Sequence, residues 1–170
     1  MSARNRIIVA ALTLSATAFV GLTMDEGYSS TAIIPTRGDV PTLGFGSTTR
    51  ADGTPVRLGD TTTPPQALQR TLAYVQDDEA DMRKSLEGIA LHQAEYDIYI
   101  NWRYQYGATA WRNSSILREL RAGNYAGACQ ALLKYRFSAG YDCSTPGNRI
   151  CAGVWARQLK RHQACMAVQS

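Results

Sequence analysis

The chain has 170 residues, 45% of them apolar, with a formal charge of +4 and a pI of about 9.0. That length suits one compact domain with a sizeable core, and mild basicity suits an anionic polymer or surface. No Lys/Arg-rich block is interleaved with aromatics, which argues against nucleic acid. His92 and His162 are the only histidines and no cysteine pair has Cys-x-x-Cys spacing, which argues against zinc.

Residues 7–24 carry no charge and follow Arg4 and Arg6. As a helix the run would span roughly 27 Å, close to a hydrocarbon core of about 30 Å. It is weakly apolar: Ile7, Ile8, Val9, Leu12 and Phe19 are mixed with Thr13, Ser15, Thr17, Gly21 and several alanines. The flanking arginines favour a cytoplasmic N-terminus. A membrane anchor is the expected reading. A cleaved signal peptide and a buried core helix are the alternatives, although no clear Ala-x-Ala site follows the run.

Residues 31–60 are rich in Gly, Pro and Thr, which predicts a small antiparallel sheet with strands near 32–36, 41–47 and 55–58. Asp52-Gly53 is a hairpin-turn signal. Helices follow. Thr63 is placed to cap the first, with Pro64 at its first position and Gly88 as its stop. Leu68, Leu72, Val75, Met82 and Leu86 form its apolar stripe. Further helices are predicted over 92–106, 114–122, 125–137 with Asn124 as cap, and 148–167. The pattern is α+β, a small sheet lobe plus a larger helical lobe.

Cys129, Cys143, Cys151 and Cys165 all lie in the last third. Behind an export-type segment they read as two disulfides. Of the three possible connectivities, Cys143–Cys151 closing a Pro/Gly loop and Cys129–Cys165 tying two late helices are favoured, against the alternative of four reduced buried thiols.

The chemistry concentrates just after the apolar run. Glu26 is followed by Asp39-Val40-Pro41-Thr42-Leu43-Gly44-Phe45-Gly46. Glycosidases need two carboxyl groups flanking the scissile bond, one to protonate the leaving oxygen and one to activate water. Glu26, at the end of an apolar helix, is placed for the acid, whose pKa burial would raise. Asp39, in a turn-rich solvated region, suits the base, and the Thr42 hydroxyl suits holding the water. Gly44 and Gly46 permit close backbone approach to a sugar. On spacing alone, Glu26 is equally a solvated helix-end charge and Asp39 a turn residue. Trp102, Trp111 and Trp155 read as core, or as one sugar-cleft aromatic. Ser47, Thr48 and Thr49 have no histidine nearby in sequence for a serine-type triad.

The segment from Glu26-Gly27 through Ala32 to Asp39-x-Pro41-Thr42-Leu43-Gly44-Phe45-Gly46-Ser47-Thr48 resembles the catalytic signature of phage-type lysozymes. The likeness continues through Ala94-Glu95-Tyr96-Asp97, Tyr104-Gln105-Tyr106-Gly107, Asn113 to Gly123 and Tyr125 to Ala128, and covers about residues 25–165. The N-terminal run resembles the signal-arrest-release segments of the signal-anchored endolysins.

The resemblance implies a lysozyme-like fold, with residues 1–24 as the release segment and 25–170 as the catalytic domain. It implies a cofactor-free, metal-free muramidase that cuts the β-1,4 bond of peptidoglycan. The implied enzyme is a monomer, exported by the Sec route, held transiently at the inner membrane by residues 7–24 and then released. Glu26 matches the family's acid and Thr42 its water-positioning threonine. The commoner pattern places an aspartate six residues before the threonine, where this chain has Thr36, and the loop carries one extra residue. Asp39, the carboxylate between Glu26 and Thr42, takes that role. Gly44, Gly46, Gln105 and Asn113 are the implied substrate contacts, with Gln105 read equally as a helix-capping or core polar residue. A lytic transglycosylase and a non-catalytic wall-binding module are the rival readings.

Overall fold

A computed structural model describes residues 6–35, 38–138 and 140–169. Arg4 and Thr36 lie outside the described residues. The described residues are mostly helical and form three two-stranded antiparallel sheets. It divides into two compact units, one of residues 14–80 and one of residues 1–13 with 81–170.

The apolar N-terminal run does not form one helix. Ile7–Ile8 is a short strand, β1, followed by a 3-10 turn at Val9–Ala11 and an extended stretch over 12–15. Helix α1, Ala16–Glu26, begins only where the Ser15 side chain accepts from the Ala18 N–H. A hydroxyl at this position competes for the backbone and starts a helix rather than continuing one. No helix among the described residues is long and apolar enough to cross a membrane.

In the 14–80 unit, β2 (Ser29–Ile33) pairs with β3 (Thr42–Gly44), Ser29 opposite Gly44 and Ile33 opposite Thr42. The expected third strand over 55–58 is not formed. Instead Thr62 donates to the Ser30 carbonyl at 2.9 Å and Ala32 to that of Asp60 at 2.9 Å, so the chain returns along β2 near Thr61. Asp60 braces this loop: Arg50 grips its carboxylate with Nε at 2.7 Å and Nη2 at 2.8 Å. Those hydrogen bonds, with one from the Arg57 N–H, hold the Asp60 carboxyl down at about 2. Ala32, Leu43 and Val56 form the small core beneath the sheet. Helix α2, Pro64–Ser85, starts after Thr63 as the Thr-Pro-Pro signal predicts.

In the other unit, β1 pairs with β4 (Ala90–Leu91), and α3 (Gln93–Arg112) bends at Gly107, whose φ of 86° breaks the helix where the sequence predicts its end. The helix then resumes to Arg112. Helices α4 (Ser115–Arg121) and α5 (Tyr125–Ala131) are capped by Ser114 and Asn124. Helix α5 stops short of the predicted residue 137. A 3-10 turn follows, and then a hairpin of β5 (Phe137–Ser138) with β6 (Tyr141–Asp142) claims the rest of the segment. Helix α6 is Ala152–Ala167. Its predicted start at Asn148 is instead a turn, because the Asn148 side chain accepts from the Ile150 and Cys151 N–H groups. Cysteines 129 and 165 join α5 to α6, and 143 and 151 close the segment between β6 and α6. Trp102 is buried, its ring 4.7 Å from Tyr106 and 4.6 Å from Tyr135.

Arg6 is built into this unit. Its guanidinium donates to both carboxylate oxygens of Glu95 at 3.1 and 3.0 Å and to Gln169 at 2.8 Å, and it stacks on the Tyr125 ring at 3.8 Å. Glu95 is fully buried and also accepts from the His92 N–H at 2.8 Å. Removing one partner of a buried pair strands the other charge, which costs about 3 kcal/mol or more. Arg6→Met should therefore lower the melting temperature by several degrees, and adding Glu95→Gln should recover part of the loss. Equal melting temperatures for Arg6→Met and the parent would exclude this role.

Candidate active site

The local sequence positions Glu26 in three steps. Helix α1 ends at Glu26 because Gly27 turns out of it with φ 71°. Tyr28 then anchors the exit, its ring 5.4 Å from Phe45 and its hydroxyl donating to the Thr62 carbonyl at 3.2 Å. The register of β2 with β3 sets Ser29 opposite Gly44, which brings the following turn back to the helix end. That turn is closed by two hydrogen bonds between Leu43 and Ser47, of 2.9 and 3.0 Å.

Gly46 and Glu26 meet as a result. A Cβ built on Gly46 would stand 3.4 Å from Oε2 of Glu26. The acid therefore lies against bare backbone, and Gly46 has φ 80°, which also favours glycine. Gly44 has a different reason to be glycine. It is buried with φ 65°, and a Cβ there would stand 2.7 Å from the Cβ of Ala67 on α2. Its smallness answers to packing against the helix.

Thr42 sits at the other end of β3, and its hydroxyl donates to the Ile33 carbonyl at 3.5 Å. Asp39 lies in the exposed loop between the strands and accepts from the Val40 N–H at 2.9 Å. Glu26, Asp39, Thr42, Gly44 and Gly46 thus all lie on α1 and the hairpin that follows it. Glu26 is solvent-exposed, contrary to the burial expected at the end of an apolar helix. The buried part of α1 is Leu22 and Thr23, one turn earlier, and the chain emerges beyond it.

Gln105 and Asn113 belong to the other unit. The Gln105 carbonyl accepts from Nη1 of the buried Arg161 at 2.8 Å, while Arg161 also holds Asn101. Asn113 is the C-cap of α3 and donates to the Thr109 carbonyl at 3.0 Å. Sequence reasoning did not find Arg161, whose partners lie 56 and 60 residues away.

A carboxylic acid at a helix end, set against a glycine turn with an aspartate and a threonine on the same hairpin, is the layout of a glycoside hydrolase. The Phage lysozyme family model matches residues 24–160. The endolysin of Salmonella phage P22 is 32% identical over 132 residues, covering 76% of this chain and 86% of that protein. A mutant of P22 lysozyme in crystal form superposes with a TM-score of 0.73 at 26% identity, covering 91% of this chain and 99% of that one. The active form of the P1 phage endolysin Lyz superposes with a TM-score of 0.72 at 17% identity, covering 95% and 89%. The chain belongs to the phage lysozyme family and is a glycoside hydrolase of the lysozyme type.

The two glycines separate stability from activity. Both alanine variants meet a positive φ, which costs about 1 kcal/mol or more. Gly44→Ala adds the clash with Ala67 and should lose several degrees more in a thermal melt than Gly46→Ala. Gly46→Ala should stay folded and lose most of its activity, since its methyl faces the Glu26 carboxyl. The reverse order in the melts would contradict the packing role of Gly44.

Proposed function

We propose that this chain is a phage endolysin, a muramidase that hydrolyses the β-1,4 bond between N-acetylmuramic acid and N-acetylglucosamine in peptidoglycan. The approach of Gly46 to the Glu26 carboxyl carries the reading, because the acid faces backbone with no side chain between them. Glu26 protonates the leaving oxygen as the glycosidic C–O bond breaks. A bound sugar ring excludes water from the carboxyl, and desolvation favours the protonated form that donates. Asp39 takes the proton of a water as its oxygen bonds to the anomeric carbon. The Thr42 hydroxyl, with its own hydrogen directed at Ile33, accepts from that water and orients it. The water enters opposite the leaving group, so configuration inverts, and the two carboxyls would stand roughly 6.5–9.5 Å apart. The enzyme acts as a monomer.

Glu26→Gln keeps the shape and loses the proton, and should cut the rate by about 10² to 10⁴ or more. NMR early in the reaction should show an inverted anomer at the new reducing end. Retained configuration, anhydro-sugar products in the muropeptide digest, or near-parental activity of Glu26→Gln would each overturn the mechanism.

We also infer a signal-arrest-release history for residues 7–24. In this reading the Sec route exports the domain while the weakly apolar run holds it at the inner membrane. The catalytic domain proper follows residue 24. In that state α1 is not available to the fold, and Glu26 stands within about 3 Å of axial rise of the last membrane residue. Loss of membrane potential frees the run, which then divides at Ser15 and supplies α1. The fold tolerates the substitutions that test this. Thr17 is exposed, and a Cβ at Gly21 meets nothing within 4 Å. Replacing both with leucine should leave the melting temperature near the parent's, hold the protein in the membrane fraction and delay lysis after a depolarising agent. Release as fast as the parent's, or a mature N-terminus after Met24, would exclude the model.

A further inference from the structure

A groove in the 14–80 unit has no part in the chemistry above. It has a volume of about 560 Å³ and runs along one face of α2, from Gln66 and Gln69 past Arg70 and Tyr74 to Asp77, under the loop that carries Thr49 and Gly53. A smaller hollow of about 320 Å³ shares Arg70 and reaches Leu43. Side chains alternate along a strand, so Leu43 faces away from the side that Thr42 presents. The groove therefore lies behind the catalytic hairpin, in the same unit.

Its charges are unevenly satisfied. Arg50 and Asp60 close on each other. Asp52 accepts from the Thr54 N–H at 2.9 Å and hydroxyl at 2.6 Å. Arg70 is the exception: its Nε and Nη1 are buried with no hydrogen-bond partner among the described residues. A cation held in a fold without acceptors is unusual, since buried polar groups are almost always paired. Its remaining nitrogen, Nη2, is not among those buried atoms, and Arg70 lines both hollows. An acceptor brought by a ligand would meet the guanidinium at Nη2 and offset the charge that the fold leaves without acceptors.

The shape selects among ligands. From Gln66 to Asp77 the helix face is about 16 Å long at 1.5 Å per residue. That is the reach of about five residues of extended peptide. The two glutamine amides can pair with peptide N–H and C=O groups. Arg70 suits a carboxylate, and the exposed Asp77 at the far end suits an ammonium.

We propose that this groove is a second binding site, for the short zwitterionic stem peptides that hang from the glycan of peptidoglycan. The proposal rests on the muramidase reading and deepens it. The enzyme grips the wall at its glycan with the hairpin and at a stem peptide with α2, so cross-linked wall is held better than bare glycan.

The test uses the full chain and two variants, Arg70→Met and Gln69→Glu. Arg70→Met removes donors that lack partners and should leave the melting temperature near the parent's. Gln69→Glu keeps Arg70 and places a repelling carboxylate on the exposed face. On intact sacculi both should raise KM about tenfold with kcat unchanged, the loss expected for one charge-assisted hydrogen bond. On glycan strands stripped of peptide by an amidase, both should match the parent. The free tripeptide L-Ala-γ-D-Glu-diaminopimelate should shift backbone NMR signals of 49–53 and 66–77 in the parent and not in Arg70→Met. An unchanged KM on sacculi, an equal rise on both substrates, or peptide shifts that survive Arg70→Met would overturn the site. An N-acetylglucosamine oligomer that moves the same signals would make it a sugar subsite and equally overturn it. A parent that cuts neither sacculi nor stripped glycan would instead refute the muramidase reading, and the tripeptide titration would still decide the groove.

Discussion

The close approach of β3 to α2 is the constraint on which the hairpin beside Glu26 depends. Gly44 packs where a single added methyl would collide with Ala67. With the strand seated at that depth, Ser29 faces Gly44 and the next turn folds back over the end of α1. The position of Gly46 beside Glu26 follows from this packing. The surroundings of Glu26 are thus set by two small residues, one buried against α2 and one beside the carboxyl, with different physical reasons for being small.

The other unit is organised by buried charge as much as by apolar contact. Glu95 is completely buried and Arg103 nearly so, and each has a partner: Arg6 for the first and Asp81, at 2.7 Å, for the second. Arg161 is satisfied by Asn101 and Gln105. Such pairs add little net stability but penalise any arrangement that separates them. Arg6 ties the residue before β1 to α3, Asp81 ties the end of α2 to α3, and Arg161 ties α6 to α3.

Much of this was legible in the residues. The Thr-Pro-Pro start of α2, the Ser114 and Asn124 caps and the break at Gly107 are local signals, decided by a few neighbouring atoms. Departures from local preference fall where a side chain or a returning segment takes up backbone hydrogen bonds that the expected element needs. The third strand gave way because Asp60 and Thr62 bond to β2 rather than 55–58 doing so. The start of α6 moved because Asn148 spends its side chain on a turn. In the folded chain the apolar run is divided at Ser15, whose side chain caps α1.

By itself the sequence determined the α+β class, the family signature from Glu26 to Thr48, and the starts of α2, α4 and α5, since these rest on residue types at short spacing. Only the tertiary structure decided why Gly44 is glycine, that Glu26 stands in solvent, that Arg6 serves Glu95, and that Arg70 lies in a groove with buried nitrogens unpaired. Each of these depends on atoms brought together from far apart in the chain, and pairing of that kind leaves no trace in local pattern.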